Sequence, residues 1–323
     1  MPRELWEKVL REVGEKKMAG IVFFSLLGEP FLHEDIFDAI RFANNLDLSV
    51  SLYTNGALLD EEKGDKLLDS LRKGRIILSL QEIFSGNFEK RCKGSLSWES
   101  YIDRLQKFMI KAHSRGKSVE VDCMVDMLSM GWNFKKIRQE QQMIQNFYDK
   151  WAEVLGSKKR QKINILNPAV IYPFAEHSSF LVKHRNRWSN QLIDEDTQVE
   201  QSDKGYCLDM SHTFAVLADG TCTFCCGDYE GKLNLGNARD ACLEDIFYGE
   251  KATRIREAGN DGKMVEDICK TCRGRLVYKK NKKSVPNRNL LSEFFFLLEH
   301  FKCCGLASTF RKVAENIRRR LMR

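Results

Sequence analysis

The chain has 323 residues, 43% hydrophobic and 30% charged, with a net charge of +7. That length accommodates one large α/β domain and a smaller one, and five prolines without any low-complexity tract exclude wholesale disorder. The charge is uneven. Residues 270–323 carry 15 Lys/Arg against 3 Asp/Glu, a surplus of 12, so residues 1–269 stand at −5.

In chain order, Leu5, Trp6, Val9, Leu10 and Val13 recur at helical spacing, which predicts an amphipathic helix over residues 3–17 and neither a signal peptide nor a membrane span. The apolar run IVFF predicts a strand near 20–25 that opens onto Gly28-Glu29-Pro30. A helix follows through about Leu46, then the strand LSVSLY, which stops at the turn Thr54-Asn55-Gly56. Further helices are predicted near 60–73, 97–115 and 135–155, and further strands over 76–80, 119–125 and 163–166. Strands separated by helices of this length imply βαβ crossovers and a parallel sheet, in which ligands collect at the carboxyl ends of the strands. GEP and TNG both sit at such ends. Residues 175–205 are polar and read as a connector.

After the connector the pattern changes to short strands, turn glycines and cysteines. Nine of the eleven cysteines follow residue 200. Cys92 and Cys123 stand alone and read as ordinary core or surface thiols. The segment TFAVL is a strand, Asp219-Gly220 a hairpin turn of the I′ type, and the return strand carries Cys222, Cys225 and Cys226. Cys269 and Cys272 form a CxxC. Thiolates two residues apart on a turn face one way, and four from two segments make a closed tetrahedral site for zinc or an iron–sulfur cluster. Spacing alone leaves those two open, and it leaves open whether Cys222 or Cys226 is a ligand. Cys242 reads as helix core, and Cys303-Cys304 have no partners at ligand spacing.

These residues resemble the radical S-adenosylmethionine (SAM) enzymes with a SPASM-type C-terminal domain. LLGEPFLHEDIFDAIRFANNLDLSVSLYTNGALL has the family's GEP motif, helix and TNG turn in order; Cys207, Gly220, Cys225, CCGD, LGN, LEDIF and CKTC follow the SPASM pattern. The resemblance spans roughly residues 15–275. It implies an α/β fold: a radical SAM (β/α)6 partial barrel over 1–190, here without its first strand, then a small cysteine-rich α+β SPASM-type domain over 200–280. A basic amphipathic helical tail over 281–323 would complete the chain. It implies that Gly28, Glu29 and Pro30 meet the amino group of the SAM methionine, that Ser79 lies near the SAM ribose, and that Cys207, Cys225, Cys269 and Cys272 hold one auxiliary 4Fe–4S cluster.

The sequence departs from the family at one point. It contains no CxxxCxxC, the motif whose thiolates hold the catalytic cluster. The first strand and its loop would lie upstream of Met1, through a misassigned start or a fragment, a natural remnant, or ligands from a partner chain. An exposed sheet edge is then expected, and radical chemistry is expected only of a chain that carries the motif. The competing reading is non-catalytic: a metal-stabilised binding or scaffold protein, with zinc or an iron–sulfur cluster, on a degenerate barrel. The family's substrates are peptides, sugars and other small molecules, and nothing here selects among them. The chain is expected to be cytoplasmic, with its basic tail packed on the barrel or resting on an anionic membrane surface. No recognised module accompanies that charge, so specific nucleic-acid binding is not expected.

Overall fold

A computed structural model describes residues 1–280, apart from 26–27, 82, 84–87, 89–95, 127–129, 131–132, 159, 168, 185–194, 208 and 226. Cys92, Cys226, Cys303, Cys304 and the predicted basic tail lie outside the described residues.

Two compact units divide the chain: Ala19–Arg185, and Met1–Met18 together with Asn186–Arg323. The first is built on one sheet. Its strands are β1 (Ile21–Phe24), β2 (Ser49–Thr54), β3 (Gly74–Gln81), β4 (Ser118–Val125), β5 (Ala169–Ala175) and β6 (Ser178–His184), in the spatial order β1-β2-β3-β4-β6-β5. All neighbours are parallel except β5, which pairs antiparallel with β6. The connecting helices are α2 (Ile36–Asn45), α3 (Glu61–Ser70), α4 (Trp98–Ser114) and α5 (Phe134–Val154). Asp60, Ser97 and Asn133 cap three of them by accepting a backbone N–H, which fixes where each crossover turns back.

One face of the sheet is apolar. Val50, Leu52, Ile76, Leu78, Val121, Phe180 and Val182 are fully buried, as are Ile40, Leu67, Leu105, Ile144 and Tyr148 on the helices. At β1 the sheet ends, and Ile21 and Phe23 are half exposed.

The predicted strand over 163–166 does not form. Its backbone is held by side chains of α5 instead: the Ile163 N–H donates to Gln145 (2.8 Å) and the Ile165 N–H to Gln141 (3.2 Å). The predicted connector also fails in its first part, because β6 enters the sheet beside β4. Pro173, which lacks an N–H, sits in the edge strand β5, where one ladder donor is dispensable. Tyr148 anchors this hairpin by stacking on Phe174 at 5.3 Å and donating its hydroxyl to the Pro173 carbonyl at 2.8 Å.

In the second unit the described residues form α1 (Arg3–Glu15), β7 (Thr197–Glu200), α6 (Asp209–His212), β8 (Ala215–Val216), β9 (Cys222–Thr223), α7 (Leu243–Tyr248), α8 (Glu250–Asn260), α9 (Asp267–Arg273) and β10 (Arg275–Tyr278). β8 and β9 form a hairpin, and β7 pairs antiparallel with β10. Helix α1, expected at the head of the barrel half, packs here. Leu5 shares a core with Cys222, Ala238, Leu243 and Ile246, and Glu12 accepts the Leu243 N–H at 2.6 Å, at the first turn of α7.

The hairpin turn differs from the predicted two-residue I′ form. Only Gly220 has positive φ (+95°), and the Gly220 N–H donates to the Leu217 carbonyl (2.9 Å), so three residues bridge the strands. Asp219 stabilises this turn through its side chain, accepting from the Thr221 N–H at 2.9 Å. A Cβ at Gly220 would run into the Asn237 amide, which explains the glycine.

Candidate functional site

The four predicted ligands come from three places in the second unit. Cys207 precedes α6, Cys225 follows β9, and Cys269 and Cys272 lie one helical turn apart on α9. The CxxC is thus presented by a helix, where i and i+3 share a face, and not by a turn. Cys269 is buried in a core of Met210, Phe224, Leu233, Ala252, Ile255 and Met264, and Cys207 packs against the same core.

Burial pushes the Cys269 thiol up to about 12, and the neighbouring charges of Cys225, Cys207 and Cys272 push it the same way. Four cysteine sulfurs are a donor set suited to soft metals and iron–sulfur clusters. Among the described residues no three His, Cys, Asp or Glu side chains are gathered as around a single metal ion.

Two further cysteines lie in different surroundings. Cys222 is fully buried in the other core, with Leu5 and Ile246, and burial raises its thiol to about 11. Cys242, expected as helix core, is the N-cap of α7: its Sγ accepts the Asp245 N–H at 3.4 Å and lies 3.7 Å from Lys16 Nζ.

Asp228, which the spacing of the cysteines does not single out, organises the loop. Fully buried, it accepts from the Thr223 hydroxyl (2.7 Å) and from the N–H groups of Lys232 (2.8 Å) and Leu233 (2.9 Å), while its own N–H donates to the Cys225 carbonyl at 3.1 Å. It fixes the loop after Cys225. Its signal is the acid that ends CCGD, directly after Gly227 and shortly after β9.

In the first unit, Gly28 has φ +101° with open space where a Cβ would stand, and Pro30 opens a short 3-10 helix for which Glu29 is the N-cap. The Glu29 carboxylate does not stand alone. It accepts from the Thr54 hydroxyl (2.6 Å), the Asn55 N–H (2.8 Å) and the Phe31 N–H (3.5 Å). The GEP and TNG turns are therefore one connected structure. Ser79 is half-buried on β3, opposite Asp122 in register.

The face of the sheet that carries Ser79 is polar, which the sequence reading missed. Arg75 donates from Nε to Ser51 (3.3 Å) and lies 3.8 Å from Glu120; Lys183 Nζ lies 2.6 Å from Asp122. Burial raises the carboxyls of both Glu120 and Asp122. Their signal was the alternation in SVEVDCMV, where Glu120 and Asp122 take every second position of a central strand.

Residues 207–273 match the SPASM family, an iron–sulfur cluster-binding domain. Among solved structures, the chain is similar to hexahistidine-tagged anSMEcpe with bound AdoMet: 16% identity, covering 94% of this chain and 84% of that one, TM-score 0.51. It is also similar to BtrN in complex with AdoMet and 2-DOIA (16%, 84% and 79%, TM-score 0.45) and to Streptococcus suis SuiB bound to S-adenosylmethionine (18%, 77% and 59%, TM-score 0.47).

Proposed function

For a chain that carries a SPASM iron–sulfur cluster-binding domain at residues 207–273 and the fold of radical SAM/SPASM proteins, we propose that Cys207, Cys225, Cys269 and Cys272 hold one 4Fe–4S cluster. The observation that carries this is geometric: Cys207 and Cys269 meet at one core, Cys272 lies one helical turn from Cys269, and Cys225 follows β9. When bound, the cluster supplies a one-electron redox centre. The chain's own residues position it: α9 presents two thiols on one face, and Asp228 holds the loop that presents Cys225.

The same reading assigns SAM binding to the ends of β1, β2 and β3. Gly28 leaves its backbone approachable, Pro30 fixes the turn, and Ser79 lies toward the ribose. Glu29 is assigned a positioning role first, since its carboxylate already binds the Thr54–Asn55 turn. The 323 residues contain no CxxxCxxC, so the proposal stops at cluster and SAM binding.

The test is anaerobic reconstitution of the full chain with ferrous iron and sulfide, followed by metal and acid-labile sulfide analysis and equilibrium binding of SAM. About four irons per chain, lost on Cys269→Ala, are expected. Stoichiometric zinc without iron overturns the cluster and supports a metal-stabilised scaffold. No SAM binding by an iron-loaded chain overturns the second assignment alone.

A further inference from the structure

Helix α8 brings a cation to the edge of the cysteine core. Arg256 is partly buried, and its guanidinium carbon stands over the rings of Phe247, Phe224 and Tyr248, at 4.3, 5.4 and 5.9 Å from their centroids. Nη2 donates to the Thr253 hydroxyl at 3.2 Å, whereas Nη1 is buried and has no hydrogen-bond partner among the described residues. The acid whose charge reaches it is Glu257, the next residue, and the two form no ion pair among the described residues. Aromatic faces offset part of the lost hydration, but a guanidinium so placed stays costly unless further negative charge stands nearby.

Phe224 links this cation to the candidate ligands. It is fully buried in the core that contains Cys269 and against which Cys207 packs, and it directly precedes Cys225 in the chain. Ile255, beside Arg256 on α8, enters the same core. Covalent geometry therefore keeps the guanidinium within about 16 Å of Cys225 Sγ.

A centre of four thiolates, iron and sulfide is anionic, and reduction adds one electron and hence one negative charge. A fixed cation favours the more negative form, and net charge is one of the quantities that set such potentials. We propose that Arg256 tunes the cluster electrostatically: its charge raises the reduction potential of the centre assigned to Cys207, Cys225, Cys269 and Cys272. The inference rests on that assignment. Over this distance in a partly buried region, one unit charge shifts the reduction equilibrium about fivefold.

The test is a titration of the anaerobically reconstituted full chain with dithionite and mediators, followed by electron paramagnetic resonance, with iron analysis on the same samples. Arg256→Met keeps the apolar stem and removes the charge, and Arg256→Lys keeps the charge. Arg256→Met should lower the potential by about fivefold in the reduction equilibrium, or about 40 mV for one electron, at unchanged iron content. Arg256→Lys should lose less than half of that shift. Arg256→Gln is a second neutral variant if Arg256→Met does not fold. An iron-loaded neutral variant at the wild-type potential overturns the proposal. So does an Arg256→Lys potential as low as that of Arg256→Met, or loss of iron from all three variants, since packing and not charge is then responsible. A wild-type chain that takes up no iron overturns the cluster assignment and this inference with it, so the two failures are read from different measurements.

Discussion

Thr54 donates its hydroxyl to Glu29 across 2.6 Å, so the ends of β1 and β2 are joined by side chains as well as by their ladder. Thr54 is buried, and its oxygen also accepts the Gly56 N–H at 2.9 Å. Thr54→Val keeps the shape and removes both bonds. It should lower unfolding free energy by about 1–3 kcal/mol, because the Glu29 carboxylate and the Gly56 N–H each lose a partner. Urea denaturation measures this, and an unchanged midpoint would show that the link contributes nothing.

Two buried cysteines should behave in opposite ways. Cys222 shares a core with Leu5 and Ile246, whereas Cys269 is flanked by three other thiols. Cys222→Ala should leave the iron content of the reconstituted chain unchanged and cost about 1 kcal/mol of stability through the lost sulfur volume. Cys269→Ala should abolish iron uptake. Equal iron loss in both variants would return Cys222 to the ligand set.

Asp228 serves three donors from a fully buried position. Asp228→Ala should therefore cost about 3 kcal/mol, and it should reduce iron loading even though no thiol has been touched. Thermal melts with metal analysis on the same samples test both halves. Full iron content in a destabilised variant would separate the acid from the cluster loop.

At Asp122 burial outweighs the Lys183 charge and lifts the carboxyl above its ordinary range. The folded chain then holds this proton more tightly than the unfolded chain does. The contribution to stability is complete below the unfolded carboxylate value and is lost as pH rises through the higher folded value. Asp122→Asn should remove a negative slope of at most about 1.4 kcal/mol per pH unit in that window. Denaturation of both proteins from about pH 4 upward measures the difference. Parallel curves would mean that Asp122 titrates normally.

Helices α1 to α5 and the first four strands were legible because their apolar positions repeat cleanly, and Asp60 and Ser97 mark where two helices begin, whereas α8 and α9 gave no such pattern. The segment over 163–166 misled because an apolar run specifies burial and not the partner. Ile163 and Ile165 are indeed buried, but glutamines of a preceding helix satisfy their backbone. β6 is hidden by its composition: Ser179 and Lys183 face the polar side while Phe180 and Val182 enter the core, so a half-buried strand has the polar content of a linker. The cysteine spacing showed four candidate ligands. It could not show that Cys222 faces another core, since that depends on α1, more than two hundred residues away in sequence.

That distance has a consequence for synthesis. Residues 19–185 can assemble as they leave the ribosome, each strand meeting a neighbour made shortly before. The other unit is closed by the chain's first helix and by segments around residues 238–246, with Glu12 waiting for the Leu243 N–H. Until those segments emerge, Leu5, Val9 and Val13 have no core to enter. Residues 5–13 are thus made more than two hundred positions before the segments of their core, and a chain interrupted before residue 243 lacks Leu243 and Ile246 from that core.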